Sequence, residues 1–315
     1  MKFIDLHCDC INKLYYSNDN ENILKNGFHV DIEKLKKGEC FVQTFAIFLD
    51  EDYVKTQNQN LFDEFKKMLI CYHKQVNMAK EYIAHIDQKE KKQNKDMYAL
   101  LSCEGCAFVE NDLTRLEYIN DEGIKMASLT WNYENCLAYP NSQSSTIMQN
   151  GLKKFGFKTV EFFNEKKIII DVSHLSDGGI KDILAMSKMP VIASHSNARA
   201  IAYHPRNLTD EFIKKIADSG GVIGINFYPP FLTTNDDAKI DDIIHHIKYI
   251  INKGGEDVVS LGSDFDGIEI TPKIDDSSQM QLLYHNLKKE SFVEPLIEKI
   301  FYKNALRLLS EYKIF

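Results

Sequence analysis

The sequence predicts an α/β fold, a (β/α)8 barrel of the TIM type, on three observations. Eight short runs of apolar, largely β-branched residues recur along the chain. Amphipathic segments of helical period separate them, and the runs themselves are almost continuously hydrophobic, as in parallel strands covered on both faces. The length, 315 residues, suits one such barrel. A doubly wound open sheet is the alternative, but it has fewer strands and a glycine-rich first turn that is missing here.

The strands are expected at 3–9 (FIDLHCD), 41–49, 98–105, 125–131, 168–174, 191–196, 221–228 and 258–267. Helical segments fall within 57–90 and at 112–122, 152–166, 177–188, 208–219 and 240–253. Asp177 ahead of GGIKDIL and Thr209 ahead of DEFIKKI read as helix starts; Gly220 and Gly254 read as stops. Residues 90–96 (EKKQNKD) and 140–146 (PNSQSST) read as polar loops. With no internal repeat and no boundary signal, residues 1–315 are expected to form one domain.

Composition narrows the function. The formal net charge of -8 argues against a nucleic-acid partner, which normally meets a basic face. No apolar run approaches the ~20 residues that span a bilayer. Met1 leads within two residues into the first strand, without a signal-peptide pattern. The expectation is a cytoplasmic protein without a membrane partner. Seven cysteines, an odd number, fit reduced thiols better than disulfides.

In barrels of this type the chemistry sits at the C-terminal ends of the strands. Those ends carry His7 and Asp9, Glu104, His174, His195, and Asp264 with Asp266. Period two puts His7 and Asp9 on one side of the first strand, within reach of a single ion. H-x-D alone is a weak motif. Three histidines and several acids closing apolar strands on one rim are harder to attribute to packing, because buried charge of that density needs a compensating cation. Imidazole with carboxylate suits Zn²⁺ or a similar divalent ion.

Along nearly the whole chain the sequence resembles the renal (membrane) dipeptidase family, peptidase family M19 of the amidohydrolase superfamily. The resemblance rests on DLHCD (5–9), CEG (103–105), LTWNYEN (129–135), DVSHLSD (171–177) and ASHSNARAI (193–201). It continues through HPRN (204–207), GGVIGINFYPPFL (220–232), LGSDFDG (261–267) and KNALRLL (303–309). It implies a zinc dipeptidase with two Zn²⁺ per chain, His7 and Asp9 on one, His174 and His195 on the other, and Glu104 bridging both. A hydroxide held between the metals would attack the amide of a small dipeptide. Arg206 would hold the substrate carboxylate, and Asp264 would contact its amino end and shuttle the proton to the leaving amine. A homodimer is also implied.

In one place the chain departs from the family. Animal members carry a histidine directly after LT, and here Trp131 stands in its place. Asn132, Tyr133 and Asn135 are at hand to replace its hydrogen bond, so Asn132 is a candidate substrate contact, as is Tyr228 on the Pro229–Pro230 loop. The alternatives are an N-acyl amino acid or lactam hydrolase, a deaminase, or an inactive barrel used for binding.

Other polar residues read as structural. Asp5 lies one pleat too deep for a ligand and is expected to accept backbone hydrogen bonds. Cys8, Cys103 and Cys106 read as packed thiols, His245 and His246 as helix-surface residues, and Asp266 as a residue orienting the FDG turn. His204, two residues before Arg206, reads as a solvated loop residue, with a place in the pocket lining as the alternative.

Overall fold

The structure is a computed structural model that describes residues 1–17, 21–86, 95–235 and 237–315. Its centre is a parallel sheet. The strands are β1 (Phe3–Asp5), β2 (Cys40–Phe48), β3 (Ile83–His85), β4 (Met97–Glu104), β5 (Met126–Ser128), β6 (Ile169–Asp171), β7 (Ile223–Ile225) and β8 (Val259–Leu261). Hydrogen-bonded neighbours run β6-β5-β4-β2-β1-β8-β7, with β3 off this path against β4. All these pairings are parallel, so each connection crosses over and most carry a helix.

The sheet forms an open half-barrel rather than the closed ring of eight expected strands. The break lies where the sixth strand was expected. Residues 191–196 do not form a strand; Ile192 and Ala193 make single bridges, to Asp171 and to Ile223. Ser194 supplies the physical reason: it spends its backbone N–H on the Asp171 carboxylate, not on a neighbouring strand. Gly224 and Gly262 leave no room for a Cβ against the Ser194 carbonyl, so three backbones crowd together at this point. The extra strand is β3, at the end of the segment expected to be helical within 57–90. It pairs with residues 97–99 of β4, while β5 pairs further along with 102–103.

Helices cover the sheet. The helix Leu61–Met78 buries Phe65, Met68, Leu69 and Tyr72, and Asn60 caps it. The expected helices occur at Leu113–Asp121, Lys154–Lys166, Asp177–Met186, Asp210–Asp218 and Ile240–Gly254. Thr209 caps as expected, its side chain accepting from Phe212 N–H. At the preceding helix the cap is Ser176, one residue before the expected Asp177. Part of the expected 57–90 segment and of the 90–96 loop lies outside the described residues.

One expectation about a histidine is overturned. His246 is not on a surface: it is fully buried, accepts from Ala198 N–H at 3.1 Å and reaches the Leu232 carbonyl at 2.9 Å. His245, one position round the helix, is exposed as expected. Asp5 is a structural acid. It accepts from Ser263 N–H and Oγ–H, at 2.8 and 2.6 Å, and from Gln43 Nε2–H at 3.1 Å.

Candidate metal centre

The strands stop short of the functional residues, which sit just beyond their C-terminal ends. After β1 the chain stays extended: Cys8 N–H donates to the Thr44 carbonyl and Asp9 N–H to the Phe265 carbonyl. Period two then aims His7 and Asp9 to the same side. Asp9 precedes the helix Cys10–Tyr16, yet its side chain makes no capping bond. Glu104 is the last residue of β4. His174 and Asp264 stand in the left-handed region, at φ 70° and 63°. For residues with a Cβ this conformation costs about 1–3 kcal/mol each, a strain that collects at functional sites.

These turns bring the side chains together. Glu104 Oε1 lies 2.7 Å from His174 Nε2 and 3.4 Å from His195 Nε2. Its other oxygen, Oε2, lies 3.6 Å from His7 Nε2. His7 Nε2 is also 3.4 Å from Asp9 Oδ2 and 3.8 Å from Asp264 Oδ1. Three groups could each hold an ion: His7, Asp9 and Glu104; Glu104, His174 and His195; and His7, His195 and Asp264. Every one of these side chains is buried or nearly so.

Two observations test whether a cation fits. Asp9 Oδ1 is buried without a hydrogen-bond partner among the described residues. His174 Nε2 and His195 Nε2 lie 3.0 Å apart, while their Nδ1 atoms face Asn132 Oδ1 at 3.0 Å and Ser194 Oγ at 2.7 Å. With the ring protons given to those oxygens, two lone pairs point at each other and at a carboxylate. Divalent ions suit that donor set.

Electrostatics divides the centre. Burial works against a charged His7, but Glu104, Asp9 and Asp264 outweigh it and push its pKa up to about 10. Burial, then the positive charges of Arg206 and His7, hold the His174 imidazole well below its ordinary range; for His195 burial, His7 and Arg206 act in that order. Burial raises the Asp9 and Glu104 carboxyls. It lifts Asp264 to about 7, helped by Asp9 and Glu104 and opposed by His7.

The centre opens into a cavity of about 1210 Å³ lined by, among others, Asp9, Glu104, Trp131, Asn132, Arg206, Tyr228 and Asp264. Arg206 is 6% exposed, and among the described residues its guanidinium has no hydrogen-bond or ion-pair partner. It rests over the Phe231 ring, 5.5 Å from the centroid. Arg199 nearby is different: it grips Asp177 with two 2.7 Å bonds. Tyr228 meets Phe231 edge to face. Asn132 lines the cavity, but its Oδ1 is engaged by His174, which leaves only its amide N–H groups for a ligand. Trp131 packs on Phe48, with ring centroids 4.4 Å apart. His204 is not merely a solvated loop residue: it lines the cavity and accepts from Arg206 N–H at 3.1 Å.

Some contributors were missed from the sequence. Asn226 donates from Nδ2 to Asp264 Oδ2 at 2.9 Å, and Phe231 floors Arg206. Gly267 has no room for a Cβ, which would strike the Asp9 and Asp264 carboxylates. Its place in SDFDG was the available signal. Asp266 belongs to none of the ion-holding groups; its Oδ1 accepts from His29 N–H at 2.7 Å. Cys103 and Cys106 are buried free thiols, with Cys106 Sγ donating to Cys103 Sγ at 3.9 Å.

A parallel α/β sheet with buried imidazoles and acids beyond its C-terminal strand ends defines the class of metal-dependent hydrolases. The pattern of the membrane dipeptidase family, peptidase family M19, matches residues 1–314. The chain belongs to that family and is a dipeptide-hydrolysing enzyme. An uncharacterized dipeptidase of Schizosaccharomyces pombe is 30% identical over 98% of this chain and 79% of its own. A Klebsiella pneumoniae protein described only as encoded in the pqqA 5′ region is 30% identical over 75% of this chain and 93% of its own. In fold, the chain is similar to a Rhodobacter sphaeroides metallopeptidase liganded with a phosphinate mimic of L-Ala-D-Ala. That match has TM-score 0.86, 22% identity and 99% coverage of both chains. It is also similar to a dipeptidase of family M19, with TM-score 0.89, 24% identity and coverage of 99% and 98%. Among the described residues no helix is long and apolar enough to cross a membrane.

Proposed function

We propose that the chain is a zinc dipeptidase with two ions per subunit, acting on small peptides with free amino and carboxyl ends. The observation that carries this reading is Glu104: Oε1 faces His174 and His195, while Oε2 faces His7. On this reading His7 and Asp9 hold one ion, His174 and His195 the other, and Glu104 both. When bound, the pair supplies a water that is deprotonated at neutral pH and a Lewis acid for the amide carbonyl.

The chain's own residues do the rest. Arg206 offers an unengaged, buried guanidinium fork to the substrate carboxylate, which it binds through two charge-assisted hydrogen bonds. Asp264, held at Oδ2 by Asn226 and shifted to about 7, is suited to take a proton and return it to the leaving amine. Tyr228, the Asn132 amide, Trp131 and Phe48 wall the cavity in which the dipeptide would lie. The mimic bound by the Rhodobacter sphaeroides relative supports a dipeptide substrate. We further read residues 1–315 as one domain. The seven free cysteines support a cytoplasmic location.

The test is a dipeptide library, including L,D pairs and N-acyl amino acids, assayed before and after dialysis against chelator. Hydrolysis of dipeptides should vanish on dialysis and return with zinc. Activity untouched by chelator, or confined to N-acyl amino acids, would contradict the proposal.

A further inference from the structure

Behind the His195 ring the atoms form a continuous chain that ends on a buried acid. Nδ1 lies 2.7 Å from Ser194 Oγ, and the same hydroxyl lies 2.5 Å from Asp171 Oδ2. Asp171 Oδ1 accepts from the backbone N–H groups of Ser173 and Ser194, each at 2.9 Å. Asp171 is 5% exposed and Ser194 fully buried. One carboxylate at the end of β6 therefore ties the turn that bears His174 to the segment that bears His195.

The chemistry gives this chain a direction. An ionised carboxylate only accepts. The Ser194 hydroxyl must then donate its proton to Asp171 and turn a lone pair to the ring. His195 consequently carries its proton on Nδ1. Nε2 is left with a free lone pair, and it is this nitrogen that faces Glu104 Oε1 at 3.4 Å. His174 has separate support from Asn132 Oδ1, so the relay bears on one ring alone.

We propose that Asp171 and Ser194 are positioning residues that fix the tautomer and ring orientation of His195 for metal binding. This rests on the proposed metal site, but it concerns residues outside the ligand set. Asp171→Asn is the informative change. The amide oxygen goes on accepting from the two backbone N–H groups, which leaves its NH2 facing Ser194. The hydroxyl must then donate to His195 Nδ1, and the ring proton moves to Nε2, where a metal would bind. Ser194→Ala removes the relay, and Ser194→Thr restores a hydroxyl.

Two readouts on the full-length protein test this. One is the ¹⁵N spectrum of histidine-labelled, metal-free protein, with the His195 signal identified through His195→Gln. The other is zinc titration against a competing chromophoric chelator, with circular dichroism melting as the folding control. Expected are Nδ1–H at His195 in the native sequence and Nε2–H in Asp171→Asn. Zinc affinity should fall ~10–100-fold at one of the two sites in Asp171→Asn and Ser194→Ala. Ser194→Thr should recover most of it. Nε2–H in the native protein would overturn the proposal. So would folded Asp171→Asn and Ser194→Ala variants that bind zinc within about twofold of the native affinity, well inside the range typical for such partners. Should the native protein take up no zinc, it is the proposed metal site that falls; the nitrogen spectrum then decides alone, Nδ1–H supporting the relay and Nε2–H overturning it.

Discussion

Asp5 ends β1 and Asp9 follows four residues later, and both are buried, yet their surroundings are opposite. Asp5, in the floor, is saturated by the protein: Ser263 gives it two hydrogen bonds, Gln43 and His7 one each. Asp9, on the rim, caps no helix and has one oxygen without a partner among the described residues. The comparison extends to the neighbourhoods. The floor is sealed by apolar residues such as Ile4, Leu6, Val42 and Leu100. The rim gathers the side chains of His7, Asp9, Glu104, His174, His195 and Asp264 into three overlapping groups of possible ion ligands. At Asp5 the fold satisfies the buried acid, whereas at Asp9 it leaves an oxygen beside two other possible ligands, His7 and Glu104.

Glu104→Gln should break the rim most severely. An amide cannot serve both ligand groups as a carboxylate does, so hydrolysis should fall to background and elemental analysis should show loss of bound metal. Asp264→Asn should keep metal content while lowering kcat by ~10²–10⁴-fold, the usual worth of a proton-transfer group. An unchanged kcat would remove Asp264 from the chemistry. Asp5→Ala sharpens the contrast from below, because it leaves Ser263 and Gln43 without their acceptor. Urea unfolding should show a loss of about 3 kcal/mol, as for stranded buried donors, with metal content per folded chain retained. Arg206→Lys keeps the charge and loses the fork. Steady-state kinetics should give a ~10- to 100-fold fall in kcat/KM for dipeptides, with little change in metal content.

The smallest expected effect is on pH dependence without metal. Burial lifts Asp266 from 3.8 to about 7, so the folded state holds a proton that the unfolded state releases. Its contribution to stability is therefore lost as pH rises through that window. His7, raised from 6.5 to about 10, stabilises the fold below its unfolded pKa and loses that effect across its own window. Below about 6.5 the buried, neutral His174 and His195 act in the opposite sense, but above it they are uncharged in both states, so the melting temperature of chelator-treated protein should fall from neutral to alkaline pH. Zinc should flatten the slope, because it binds the deprotonated ligands.

Much of this was legible in the sequence, for definite reasons. The apolar runs marked β2 and β4 nearly to the residue, because long strands buried on both faces leave a continuous signal. HxD was legible because period two survives beyond the end of β1. β3 was not: three residues following a long helix carry too little pattern. The segment 191–196 has a strand's composition, but Ser194 and His195 divert it into the site. Asp171, Ser194 and Asn226 lie within recognisable motifs, yet their roles arise from partners 23 to 38 residues away. His246 misled because a helix surface and a buried hydrogen-bonded ring share the same sequence signature.

Everything proposed for the rim turns on Glu104 being shared by two ion sites. That sharing is tested most directly by titrating metal-free protein with zinc in a calorimeter, for the native chain and for Glu104→Gln. About two ions should bind per native chain, as a two-metal site requires, with the loss or marked weakening of both in the variant. A native stoichiometry near one, or a variant that still binds two ions at native affinity, would contradict it.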